Sequence, residues 1–335
     1  MRTRLVICFW AITLSSFTAC SPSPDCFREN VFCVGLVTDT RSLNDFGINH
    51  DTWAGLEQSH ADGVIDQIAY IESVNPKDFK KNIAFFVDAG YDVIVTSGIG
   101  LRDATLRSAD LYPDSVFIGM NQPDDENRPN FIPVTFPEDQ MGFLAGALAA
   151  QLTSSKTVGA ACETSGIASM WRYCEGFRAG AIYMDASVKV FVIYRDNGSS
   201  SNLFIDDVWG YETAQELIDN NVDVIFAAGG GTAVGALRAA GEVKIQAIGA
   251  ERDQAAALGV EGSSVVTSVL GETSSTVREL MRSLRDGNVT EEKIGSVGYV
   301  PFDKLVSKEV VQEIDHLLAG LEKGEIKTNI PAEKP

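Results

Sequence analysis

The sequence predicts an α/β protein of two doubly wound parallel-sheet lobes joined by a hinge. Three observations lead there. From residue 31 onward, short β-rich runs alternate with helical patterns, the signature of βαβ units feeding a parallel sheet. An internal echo sets Asp92-Val93-Ile94-Val95-Thr96-Ser97-Gly98 against Asp223-Val224-Ile225-Phe226-Ala227-Ala228-Gly229. Each copy is followed by a helix and then by a strand ending in Ile118-Gly119 or Ile248-Gly249, which reads as two copies of one lobe. A tail of extra elements then lets the chain cross between the lobes more than once, and repeated crossings make a hinge.

In order, the first strand carries Val34, Leu36 and Val37, then a polar loop with Asp39 and Asp45, then a helix opening near Asn49 that carries Trp53 toward the core. A strand over 67–71 follows, then a helix from Pro76 through Phe85 and Phe86, closed by Gly90. The continuous apolar run 93–96 is a buried strand, followed by the loop 97–100, a helix from about Asp103 and a strand over 116–119. The second half repeats the plan: strands over 157–161 and 189–194 flank a helix over 170–183, and a helix over 209–218 precedes a strand over 224–227. The tail supplies a strand over 265–270, a helix over 272–284, a short strand near Val297 and a last helix over 308–321. The expected division is a signal peptide over 1–19 and a tether over 20–30. Lobe I takes 31–134 with 263–288, lobe II takes 135–262 with 289–325, and 326–335 is a tail.

The 335 residues suffice for two ordinary cores, and 45% hydrophobic with 22% charged residues is a globular composition. A net charge of −19 argues against nucleic acid, because phosphate binding needs a basic face. At the N-terminus, Arg2 and Arg4 precede an apolar run over 5–17 of signal-peptide length, too short to span a bilayer. Phe17-Thr18-Ala19-Cys20 followed by Ser21-Pro22-Ser23-Pro24 resembles a bacterial lipoprotein signal, in which Cys20 is lipidated and the mature chain is anchored outside the cytoplasm. Simple secretion is the competing reading. Four further cysteines, Cys26, Cys33, Cys162 and Cys174, suggest two disulfides in an exported chain. Proximity favours Cys26 with Cys33 and Cys162 with Cys174, while sequence alone leaves the pairing open. Zinc is the rival, but there is no CxxC and the chain has only three histidines, so no metal site is expected.

Ligands of open α/β sheets sit at the carboxyl edge of the strands, so the loops there hold the candidate site. Asp39 ends the first strand and reads as a ligand contact or as the cap of its own turn. Asn49 reads as a contact or as a helix N-cap, and Asp103 as a contact or as a carboxylate favoured at a helix N-terminus. Phe204 lies in a stretch too polar for a core strand, where an exposed ring suits stacking on a flat ligand. Gly229, Gly230 and Gly231 make a glycine turn between a strand and a helix, which lets backbone N–H groups face a sugar or anion. No GxGxxG follows the first strand, and there is no P-loop lysine and no GxSxG elbow. Binding without chemistry and without a cofactor is therefore the leading expectation.

LVTD with NDFGIN and TWAGL, then FLAGALAAQLT, CEGFRAGAIY, FAAGGGTAVGAL, AIGAERDQ and VVTSV occur in one order and spacing over residues 34 to about 326. In that order the chain resembles the basic membrane protein (BMP) family, substrate-binding lipoproteins of ABC importers, of the purine-nucleoside-binding type. The resemblance implies a type I periplasmic-binding-protein-like fold and a nucleoside-like ligand between the lobes. It also implies an ABC permease with its ATPase as partners. Position by position it implies Asp39 on the ribose hydroxyls, Asn49 and Asp103 on the base, Phe204 stacked on the purine, and Gly229 to Gly231 near the sugar. Three departures mark this chain. Ile48 stands where the family has a second stacking Phe, with Phe46 near enough to substitute. Glu251 stands for an Asp, and Gly271 for a lysine that bonds the ribose. Arg252 or Arg102 is the cation expected to offset that loss. A sensory lipoprotein sharing the same site, or an exported nucleoside hydrolase using Asp39, Asp45 and Asp103 with a metal, are the alternatives.

Overall fold

The computed structural model describes residues 25–335 apart from 46, 125, 289–291 and 303. The signal segment, Cys20 and Phe46 lie outside the described residues.

Lobe I is built from β1 (Cys33–Thr38), α1 (Ile48–Ala61), β2 (Gln67–Ile71), α2 (Phe79–Asp88), β3 (Val93–Ser97), α3 (Arg102–Leu111), β4 (Val116–Met120) and β5 (Phe131–Thr135). Lobe II opens with α4 (Glu138–Leu152), β6 (Thr157–Cys162), α5 (Ala168–Met184), β7 (Lys189–Tyr194) and α6 (Asp207–Asp219). It continues with β8 (Val224–Ala228), α7 (Gly230–Val243), β9 (Gln246–Ala250), α8 (Gln254–Leu258) and β10 (Val265–Leu270). The chain then returns to lobe I with α9 (Thr273–Arg285) and β11 (Lys293–Ile294), and ends on lobe II with β12 (Gly298–Tyr299) and α10 (Lys308–Glu322). The sheets run β11-β5-β4-β3-β1-β2 and β12-β10-β9-β8-β6-β7, parallel except where β12 meets β10. The core strands β1, β3, β6 and β8 are buried along their whole length, as expected of runs covered by helices on both faces.

Two expectations are corrected. The strand over 265–270, assigned to lobe I, pairs with β9 and extends the sheet of lobe II. The segment around 293–294, assigned to lobe II, pairs with β5 in lobe I. Both errors have one cause: a β-run carries its burial in its composition, but not which sheet edge it joins.

The sequence reading also passed over β5 and α4. Helix α4 has eleven buried positions among fifteen, so it lacks the polar face that gives a helix its period. Its Gly142 and Gly146 lie against α5, where an added Cβ would come within 1.9 Å of the carbonyl oxygens of Tyr173 and Phe177. Gly176 and Gly180 of α5 meet α4 in the same way, so the two helices pack backbone to backbone.

The chain crosses between lobes after β5, after β10 and after β11, and the three crossings run side by side at Phe136. A Cβ on Gly271 would lie 2.7 Å from that ring and one on Gly295 would lie 2.2 Å from it. The Gly295 N–H donates to the Thr135 carbonyl at 2.9 Å. Cys26 is bonded to Cys33, tying the leading segment to β1, and Cys162 is bonded to Cys174, tying the end of β6 to α5.

Candidate functional site

The carboxyl ends of both sheets face one cleft. On the lobe I side, Asp39 leaves β1 and is buried. Its Oδ1 accepts from the Arg41 N–H at 3.0 Å, so it caps its own turn, yet it also gathers two side chains. Arg41 grips it with Nε and Nη2 at 2.9 and 2.7 Å, and Asn49 Nδ2 donates to Oδ1 at 3.1 Å. Asn49 does not cap α1. Asp45 takes that place, accepting from the N–H groups of Gly47, Asn49 and His50. Arg41 reaches Asp45 at 3.4 Å and is nine-tenths buried. Burial opposes its charge, but Asp39, Asp45 and Glu251 outweigh that and hold the guanidinium firmly protonated. Burial, with Asp39 adding to it, pushes the Asp45 carboxyl up against the pull of Arg41.

On the lobe II side, Glu163 leaves β6 as Asp39 leaves β1, and the likeness extends to glycine. Gly98 after β3 and Gly229 after β8 have φ of +100° and +123°, a region L side chains avoid. A Cβ on either would strike Asp39 Oδ2 at 2.4 Å or Glu163 Cβ at 2.6 Å. Glu163 is fully buried. Its Oε1 accepts from Arg195 Nε at 2.6 Å, and its Oε2 from the Phe204 N–H at 2.7 Å and from Thr232 Oγ1 at 2.8 Å. Phe204 has a positive φ of 64°, and its carbonyl accepts from the Gly231 N–H at 2.7 Å. The glycine turn and the Phe204 loop are thus locked together around one buried carboxylate.

Arg41 joins the two sides: its guanidinium lies 4.7 Å from the Phe204 ring centroid while it holds Asp39. Beside this bridge a groove of about 600 Å³ runs between residues 40–45 of lobe I and Phe204, Gly231, Val234 and Leu258 of lobe II. Toward the hinge, Ile48, Glu251, Tyr173, Glu138 and Gly271 line a smaller cavity of about 20 Å³. Burial, with Asp45, Asp51 and Glu138 reinforcing it against Arg41, pushes the Glu251 carboxyl up to about 7. Glu138 is likewise pushed up by burial, with Arg172 opposing.

Asp103 is not among these groups. It stands on the first turn of α3 with a side chain 75% exposed, facing Arg107 at 3.5 Å. The two expected cations have other recorded partners, and Arg102 also lies 4.0 Å from Asp103. Arg252 donates to Asn44 Oδ1 at 3.4 Å and Arg102 to the Pro123 carbonyl at 2.6 Å, while Arg41 is the cation paired with Asp39 and Asp45.

A family model described as ABC transporter substrate-binding protein PnrA-like (Bmp) matches residues 32–314. The chain belongs to this family. A CD4+ T-cell-stimulating antigen of Listeria innocua is 26% identical over 328 residues, covering 91% of this chain and 89% of the relative. The ABC transporter nucleoside-binding protein BmpA of Lactococcus lactis is 24% identical, over 75% of this chain and 74% of its own. The crystal structure of an ABC transporter solute-binding protein from Aeropyrum pernix superposes with a TM-score of 0.76 at 18% identity, covering 88% of this chain and 92% of that one.

Among the features of this PnrA-like chain that sequence reasoning missed, Glu163 had a usable signal. It follows β6 as Asp39 follows β1, so the internal echo could have found it. Arg41 had a weaker one, a lone cation between Asp39 and Asp45. Arg195 and Glu138 had none, since each matters only through a partner far away in sequence. No helix among the described residues is long and apolar enough to cross a membrane.

Proposed function

We propose that this chain captures a nucleoside-like solute between its lobes and delivers it to an ABC permease, anchored outside the cytoplasm through a lipid on Cys20. One observation carries the ligand class. A flat, hydrogen-bonding group, the Arg41 guanidinium, already lies between the Phe204 ring and the Asp39 carboxylate. A heteroaromatic ring with polar edges fits the same slot, stacking on Phe204 as Arg41 swings into the adjoining groove. That groove of about 600 Å³ lies within the usual range for small-molecule sites. Asn49 Oδ1 is buried without a partner and waits for a donor on the ligand. Asp39 would take sugar hydroxyls, and Gly230 and Gly231 would let the α7 N–H groups approach. Asp103 has no part in this arrangement. The nucleoside-binding relative from Lactococcus lactis supports the same class.

The proposed action is to hold and release, with no bond broken. Closing two lobes on a hinge requires only complementarity between solute and cleft.

Mass spectrometry of the small molecule released from the mature protein, beside a thermal-shift panel of nucleosides, tests the reading. A true ligand stabilises by mass action, about 2.7 kcal/mol at a hundredfold excess over Kd. Adenosine, guanosine or inosine should appear and stabilise; a panel of inert nucleosides with a different released solute would overturn the ligand class. Cys20→Ala should move the protein from the membrane to the soluble fraction, and no movement would exclude the anchor.

A further inference from the structure

We propose that the solute carries a primary ammonium group, and that this group docks between the carboxylates of Glu138 and Glu251 at the hinge end of the cleft. This rests on the cleft being the solute site and narrows what the site accepts.

The cavity there, about 20 Å³, holds roughly one water-sized group. Glu138 is 2% exposed, and its two oxygens differ. Oε2 accepts from Arg172 Nε at 3.2 Å and from Arg172 Nη2, while Oε1 is buried with no partner, on a residue that lines the cavity. Arg172 turns its remaining Nη1 away, to the Ala332 carbonyl at 2.9 Å. Arg41, the other cation nearby, is held by Asp39 and Asp45. Two carboxylates thus share a small cavity, and one buried oxygen lacks the donor such an atom requires.

A compact donor of positive charge meets that need. The remaining walls favour an ammonium over a metal ion. Phe136, Met141 and Ile48 offer sulfur and apolar faces, the Tyr173 hydroxyl is turned to Met141 Sδ at 3.2 Å, and Asn121 and Thr273 complete a wall of neutral groups around the two carboxyls. Among the described residues no group of three metal-ligating side chains forms. Gly271 puts no side chain into the cavity, and a Cβ there would lie 2.7 Å from the Phe136 ring, so the chain supplies no ammonium of its own. Burial holds both carboxyls above their ordinary range, reinforced by Asp139 at Glu138 and by Asp45, Asp51 and Glu138 at Glu251, and an arriving cation would ionise them.

Two measurements test this. Thermal denaturation of the mature protein in methylammonium chloride and in sodium chloride, at matched ionic strength, reads the cavity alone. The midpoint should rise with methylammonium and not with sodium, and the difference should vanish in Glu138→Gln and in Gly271→Lys. Identical midpoints in the two salts would mean the cavity holds only water and would overturn the proposal.

Calorimetric titration with adenosine and its 2′-, 3′- and 5′-amino counterparts reads the whole site. One amine should bind about ten- to a hundredfold tighter, the worth of a charge-assisted hydrogen bond, and Glu138→Gln should abolish that ratio. Adenosine binding with no amine preferred would overturn the ammonium proposal and leave nucleoside capture standing. A methylammonium effect without any nucleoside binding would do the reverse.

Discussion

Replacing Glu163 by Gln removes one negative charge from the centre of lobe II while keeping its shape, and the structure fixes what should follow. The carboxylate is fully buried and accepts from donors on both oxygens: Arg195 and the Thr164 N–H on one, Phe204 N–H and Thr232 on the other. A glutamine amide offers one acceptor and one donor. If its oxygen faces Phe204 and Thr232, its NH2 meets the Arg195 guanidinium. If its oxygen faces Arg195, its NH2 meets the Phe204 N–H. Either orientation sets donor against donor beside an arginine whose side chain is 1% exposed. Breaking a buried pair by removing one partner destabilises by about 3–5 kcal/mol. Urea unfolding followed by the fluorescence of Trp171 and Trp209, both in lobe II, measures it. A loss below about 1 kcal/mol would refute the claim that this carboxylate holds the lobe's edge together. The double substitution Glu163→Leu with Arg195→Met should recover most of the loss, because removing both charges leaves neither stranded. Solute affinity should remain weakened in the double variant, since the Phe204 N–H still lacks its acceptor.

Three other outcomes are expected. Phe204→Ala should weaken an aromatic solute by about 1–3 kcal/mol through lost stacking and burial, read by calorimetry, and unchanged affinity would place the ring outside the site. Because the folded protein holds Glu251 up from 4.5 to about 7, its contribution to stability is full below about pH 4.5 and is lost as the pH rises through 7. Glu251→Gln should therefore flatten the fall in stability between about pH 5 and pH 8, by up to about 3 kcal/mol, and identical pH profiles would contradict that burial. Replacing Cys162 and Cys174 together by Ala opens a loop of sequence separation 12. Chain-entropy arguments put the loss near 3 kcal/mol, and a denaturant midpoint unchanged from the parent would show that α5 holds the end of β6 unaided.

The acids at the two ends of the cleft are paired differently. Arg41 reaches Asp39 and Asp45 from within their own loop, so both acids of lobe I already touch one guanidinium before any solute arrives. The acids nearer the hinge, Glu138 and Glu251, are not balanced in the same way, because Arg172 serves only one oxygen of Glu138. The two ends of the cleft thus differ in pairing: both acids of lobe I contact a guanidinium, whereas one oxygen of Glu138 at the hinge has no donor.

The sequence by itself determined the class of fold, the two-lobe repeat and the strand ends at which a site could form. Those follow from local pattern: continuous apolar strands, helical periods and glycine at turns are written in consecutive residues. It also brought Asp39, Asn49, Phe204 and Gly229 to Gly231 into view, since each lies at a strand end or on a loop. Only the tertiary structure decided the rest. It moved the strand over 265–270 to lobe II, because sheet membership depends on which edge is open rather than on the strand's own residues. It left Asp103 in solvent, because a first-turn position on a helix does not specify which way that turn faces. It introduced Arg195 and Glu138, whose charged partners lie 32 and 34 residues away in sequence, and it set Arg41, paired with acids of its own loop, against the distant Phe204 ring. Pairing of buried charges across such separations is a property of distance in space, and no local pattern encodes it.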